Sequence, residues 1–186
     1  ERGFGLTLGN SIRRILLSSL QGAAITSIKI KGVVHEFSTI SGVKEDLTDI
    51  LLNLKSIGVK VHSPGLKKMY LKSSGSGELR AGNFETDSET EIMNPDQIIM
   101  TLDSNADVEI EANVETGKGY VSAEVAEDEN KVIGEIKLDA MFSPVIKATY
   151  KVENSRVGQV TDFDKLIFEV ETNGSITPDD AIALAA

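Results

Sequence analysis

The sequence predicts an α+β protein. Helical periodicity runs through residues 1–20 and 43–54, and a third helix start lies at residues 177–180. Between residues 58 and 153 the pattern turns to short alternating segments broken by turn residues. Of the 186 residues, 40% are hydrophobic, enough to bury a core. No apolar run approaches the roughly 20 residues of a membrane span.

At about 100° per residue, the opening stretch ERGFGLTLGNSIRRILLSSL sets Phe4, Leu8, Ile12, Ile15, Leu16 and Leu20 on one face. Gly5, Gly9 and Ser19 share it. A glycine inside a helix costs roughly 1 kcal/mol against alanine, so this face is expected to meet another backbone at close range. The opposite face carries Asn10 and Arg14, with Arg13, Leu6 and Leu17 at its shoulder. A planar guanidinium beside apolar surface suits an interface anchor, so the helix is expected to grip something on both sides.

Gln21 and Gly22 are expected to stop this helix. Residues 25–37 then alternate, with Ile28 and Ile30 opposite Lys29 and Lys31, as a strand kinked at Gly32. After a loop at 38–42, Val43, Leu47, Ile50, Leu51 and Leu54 form the stripe of a second helix, with Glu45, Asp46 and Asp49 in its early turns. Strands are expected at 59–62, 69–72, 98–102, 108–114, 135–138 and 145–152, separated by SPG, SSGSG, DSNAD, TGKG and FSP. Residues 155–163 read as a polar loop, 165–171 as a strand, and Asn173-Gly174 as a turn. Thr177 at the N-cap, Pro178 at the first helical position and Asp179 and Asp180 behind it start the last helix. That helix runs for only about two turns, and the chain opens on Glu1 without a methionine, so a fragment truncated at both ends is expected.

Charge and motif exclude several functions. The formal charge is −10; residues 85–130 hold fourteen acidic side chains and one base, Lys118, which leaves the remainder net positive by 3. Such an acidic middle repels phosphate, so direct DNA binding is not expected, and the run reads as a solvated face. The absence of cysteine excludes disulfides and thiolate metal sites and suits a cytoplasmic protein. Only His35 and His62 are available as imidazole ligands, and no metal-binding spacing joins them. The turn Asp103, Ser104, Asn105, Ala106, Asp107 imitates a calcium loop, but Val108 and Val114 occupy its sixth and twelfth positions, so it reads as a hairpin turn. Gly3, Gly5 and Gly9 miss the dinucleotide fingerprint, and Gly117, Lys118 and Gly119 lack the rest of a P-loop and read as a tight turn. No GxSxG frames a nucleophile. No catalytic, cofactor-binding or metal-binding residue is expected, and no cofactor.

The opening stretch, followed by VVHEFSTISGVKEDLTDILLNLK, resembles the amino-terminal domain of the bacterial RNA polymerase α subunit. The likeness continues through TGKGYV at 116–121, FSPV at 142–145, YKVEN and ETNGSITPDDAI, so it covers essentially the whole chain. It implies a dimerisation subdomain of helices on a small antiparallel sheet, residues 1–21 and 152–186, with an inserted, mostly β subdomain at 22–151. It also implies a non-catalytic scaffold that forms a homodimer and nucleates assembly of the β and β′ subunits. On this resemblance Phe4, Leu8, Gly9, Ile12, Ile15 and Leu16 serve the dimer interface. Arg13, Arg14 and Leu17, with His35, Glu36, Phe37, Ser38 and Thr39, serve the large-subunit contact, Arg14 being the more important arginine. From the residues alone, a protein-binding module of another assembly remains the alternative, and a small enzyme a more distant one.

Overall fold

Three α-helices and twelve strands follow one another along the chain in the computed structural model, which describes residues 3–35, 37–123, 133–157 and 160–186, without the side chains of 157 and 160–162. In chain order they are α1 (Phe4–Ser18), β1 (Gln21–Ile30), α2 (Leu47–Lys55), β2 (Val59–Val61), β3 (Lys67–Ser74), β4 (Gly77–Arg80) and β5 (Thr90–Ile92). Then come β6 (Ile98–Leu102), β7 (Asp107–Lys118), β8 (Tyr120–Val121), β9 (Glu135–Lys137), β10 (Ala140–Met141), β11 (Val145–Val157), β12 (Val160–Thr172) and α3 (Pro178–Ala185). The protein is thus of mixed helix and sheet, mostly strand, as an α+β reading requires.

The main sheet runs β3-β7-β1-β2-β5, with β9 also paired to β1, and its pairings are antiparallel. Period-two alternation explains its core face: Val108, Ile110, Ala112 and Val114 of β7 and Met69 and Leu71 of β3 point inward. Helix α2 covers this face with Leu47, Ile50 and Leu54. Its first turn is set by Asp46, whose carboxylate accepts the Asp49 N–H at 2.9 Å. The cap places Val43 outside the helix, where it bridges Leu102 of β6 instead. Glu45 holds the same junction, its carboxylate accepting the Thr101 N–H at 2.7 Å and hydroxyl at 2.8 Å.

A second apolar cluster joins Leu16 and Leu20 of α1 to Val145, Ala148, Ala181 and Ala185. Its base is the β11–β12 hairpin, on which α1 and α3 pack. Thr177 caps α3 by accepting the Asp180 N–H. The expected boundary at 151/152 falls inside β11, whose first residues already belong to this cluster.

Several expectations fail locally. Strand β1 begins at Gln21, because its first residues pair with Thr116, Gly117 and Lys118, and it ends at Ile30; Gly32 then turns with φ 82°. Thr116, Gly117 and Lys118 are therefore strand, and only Gly119 (φ 64°) turns. The Asp103–Asp107 stretch links strands of two different sheets rather than closing a hairpin, and the Asp103 carboxylate accepts the Asn105 N–H at 2.9 Å. Residues 155–163 are largely hairpin rather than loop, with Asn154 opposite Asp164 and Ser155 opposite Phe163; residues 158 and 159 lie outside the described residues. Ladder hydrogen bonds hold that end without an apolar alternation to reveal it. Short strands β4, β5, β8 and β10 were not expected, being too brief for a periodic signal.

Candidate interaction surfaces

Helix α1 lies against its own hairpin through its glycines. The Gly5 N–H donates to Asp164 Oδ2 at 3.0 Å, and a Cβ on Gly5 would stand 2.8 Å from Val152 Cγ1. A Cβ on Gly9 would stand 2.5 Å from the Tyr150 ring. Close approach is real, but it is to side chains of this chain rather than to a second backbone.

The expected single stripe consequently divides in two. Gly9 is buried against β11 and Leu16 within the cluster shared with α3, while Ile12 is half-buried. Phe4, Leu8 and Ile15, turned about 100° from the buried row, stay exposed along one flank of α1.

The two arginines also separate. Arg13 Nε donates to the Ala148 carbonyl at 3.0 Å, which fastens α1 to β11. Arg14 is exposed, and its guanidinium makes no hydrogen bond or ion pair among the described residues. Leu17 beside it is half-buried.

At the other end of β1, the loop between β1 and α2 exposes Val34, His35 and Phe37, the last 83% accessible. His35 and Phe37 rings stand 6.4 Å apart, and the Ser38 N–H donates to the His35 carbonyl at 3.0 Å. Thr39 is exposed, Ser38 half-buried, and Glu36 lies outside the described residues. The ten residues of β1 lie between the end of α1 and this loop.

A third surface was not visible in the sequence. Strands β8 and β10 form a two-stranded ribbon in which Tyr120 faces Met141 directly, both about 60% exposed. The ribbon is seated by Phe142, buried over Gly22 and Gly117, which oppose each other in β1 and β7. Its N–H donates to the Gly119 carbonyl at 2.8 Å. Asp139 closes the other side: its carboxylate accepts the Ala123 N–H at 2.9 Å and the Lys55 ammonium at 2.8 Å. The Ala123 N–H first, then Lys55, hold the Asp139 carboxyl below the usual carboxylate range. Only the FSP and TGKG groupings could have signalled this ribbon.

On the solvent face of the main sheet a trough of about 520 Å³ is lined by Lys29, Lys31, Tyr70, Lys72, Glu85 and Glu109, among others. Lys31 and Lys72 both pair with Glu109. Hydrogen bonds from Lys72 and then Lys31 hold the Glu109 carboxyl low, and Glu109 in turn raises Lys72. Both groups are thus fixed in their charged forms, the opposite of the tuning a proton-transfer site requires. Among the described residues no group of three or more His, Asp or Glu could hold a metal ion, and no helix is long and apolar enough to cross a membrane.

The family model of the RNA polymerase Rpb3/RpoA insert domain matches residues 28–143, and the chain belongs to this family of RNA polymerase subunits. The matched residues hold nearly all of the larger apolar cluster.

Proposed function

We propose that this chain is the amino-terminal domain of a bacterial-type RNA polymerase α subunit, a non-catalytic scaffold in the cytoplasm that pairs with a second copy and gathers the β and β′ subunits. The observation that carries this reading is the double exposure of α1. Packed on its own hairpin by Gly5 and Gly9, the helix still leaves Phe4, Leu8 and Ile15 open on one flank and, on another, the Arg14 guanidinium without a partner among the described residues. The apolar flank suits a self-complementary contact between copies. Arg14 and the exposed loop residues Val34, His35 and Phe37 supply contacts for the large subunits, the guanidinium taking a carboxylate in a bidentate pair. Arg13, engaged with the Ala148 carbonyl, positions the helix. On this reading the nucleotidyl-transfer chemistry belongs to the large subunits, and this chain binds no DNA.

The test is retention of purified β subunit by the immobilised chain, beside Arg14→Ala checked by circular dichroism. Retention by the parent and loss of about tenfold or more in affinity by the folded variant, roughly 1.4 kcal/mol, is the expected result. No retention by a folded parent would overturn the reading.

A further inference from the structure

The β8–β10 ribbon adjoins the end of α1. The Ser18 carbonyl lies 3.4 Å from where a Cβ on Gly119 would stand, and the Ser18 hydroxyl donates to the Arg14 carbonyl at 2.6 Å. One helical turn therefore separates Arg14 from the residue that precedes Tyr120. Lys118 stands beside them, opposite Gln21 in the β1–β7 ladder, and is exposed. Cα partners in an antiparallel pair put their side chains on one face, so Tyr120 and Met141 form a single outward patch while Ala140 turns into the core.

We propose that Lys118, Tyr120 and Met141 extend the Arg14 surface into one docking face for an acidic, apolar-flanked segment of the polymerase β subunit. The proposal rests on the scaffold reading above and adds the ribbon to it. Charge and chemistry favour that occupant. Lys118 is the one base among the fourteen acids of residues 85–130, and neither it nor Arg14 has an ionic partner among the described residues. Two cations left unpaired beside a tyrosine and a methionine present a carboxylate-binding edge and an adaptable apolar floor. The ribbon is also held rigidly enough to serve as a platform, since Phe142 locks it to β1 and β7 and Asp139 ties it to α2.

The test uses the whole chain assembled with purified β and β′. A photo-reactive phenylalanine analogue replaces Tyr120, and in a control it replaces Thr149 on the solvent face of the hairpin. The expected result is an adduct with β from position 120 and none from position 149. In parallel, Lys118→Glu combined with Met141→Glu should weaken β binding at least tenfold while circular dichroism and melting stay parent-like. A chain-to-chain adduct from position 120, or no adduct with β, overturns the proposal even if the double variant fails to fold. Parent-like affinity of the double variant also overturns it, and if Arg14→Ala has lost β in the same assay, the scaffold reading survives. A folded parent that binds no β overturns both.

Discussion

Gly9 of α1 lies beneath the ring of Tyr150 in β11, so near that a Cβ on the glycine would stand 2.5 Å from Cδ2. Tyr150 cannot simply swing aside, because its ring packs at 5.9 Å against Phe168 of β12. Replacing Gly9 with alanine gains roughly 1 kcal/mol of helix propensity, but forces the ring or the helix to move, an overpacking cost of about 1–3 kcal/mol. We expect Gly9→Ala to lower stability by about 1 kcal/mol net. Tyr150→Leu in the same chain should cancel most of that cost in a double-mutant cycle by urea unfolding. Full additivity would show that the contact is not the reason for the glycine.

Gly22 and Gly117 make the same kind of argument with a sharper contrast. A Cβ on Gly117 would meet the Phe142 ring at 2.7 Å, whereas one on Gly22 would meet the Phe142 carbonyl oxygen at 1.9 Å. A ring can tilt; a carbonyl moves only with its backbone. Gly22→Ala should therefore cost about 3 kcal/mol or more, and Gly117→Ala about 1–2 kcal/mol. Phe142→Leu should relieve the second variant and leave the first unchanged. Equal costs in chemical unfolding, or relief of both, would count against this geometry.

What the sequence revealed of these contacts follows from their range. The stripe Leu47, Ile50, Leu54 and the caps Asp46 and Thr177 are local, and local periodicity and capping chemistry made the second and third helices legible. The glycines of α1 were legible as close-packing positions, but their partner was not, since Tyr150 lies far along the chain. For the same reason six apolar residues read as one face, when the cluster on the hairpin takes Leu16, Leu20 and half of Ile12 and leaves Phe4, Leu8 and Ile15 outside. The polar end of the hairpin was read as loop because its order comes from cross-strand hydrogen bonds rather than buried alternation. The Tyr120–Met141 patch depends on two-residue strands, for which no periodicity exists.

Asp139 gives the ribbon a defined response to acid. Its carboxyl is held below the ordinary value by the Ala123 N–H and then by Lys55. A lowered native value means that the stabilisation is complete above the unfolded carboxylate range, about pH 4, and is lost as pH falls through the lower native one. Asp139→Asn keeps an acceptor but not the charge. The parent should melt above this variant at neutral pH, and the gap should close as the solution is taken below about pH 4. A gap that stays constant from neutral to acid would mean that the carboxylate charge contributes nothing there.

On the pairing proposed above, Leu8 should separate pairing from folding. It is 48% exposed, with neighbours Phe4 and Ile15 on the same flank. Glutamate is a good helix former, so Leu8→Glu should change the stability of the single chain by no more than about 0.5 kcal/mol. In a two-fold pair, however, each substitution is counted twice at one self-complementary surface, and two carboxylates would enter an apolar contact. We therefore expect the dimer dissociation constant to rise by at least about a hundredfold, roughly 2.7 kcal/mol, as read by sedimentation equilibrium. Gly9→Ala should show the reverse emphasis, losing stability in each chain first, because its contact with Tyr150 is internal. Parent and Leu8→Glu dissociating at the same concentration would place the pairing surface elsewhere, and with it the role proposed for the open flank of α1.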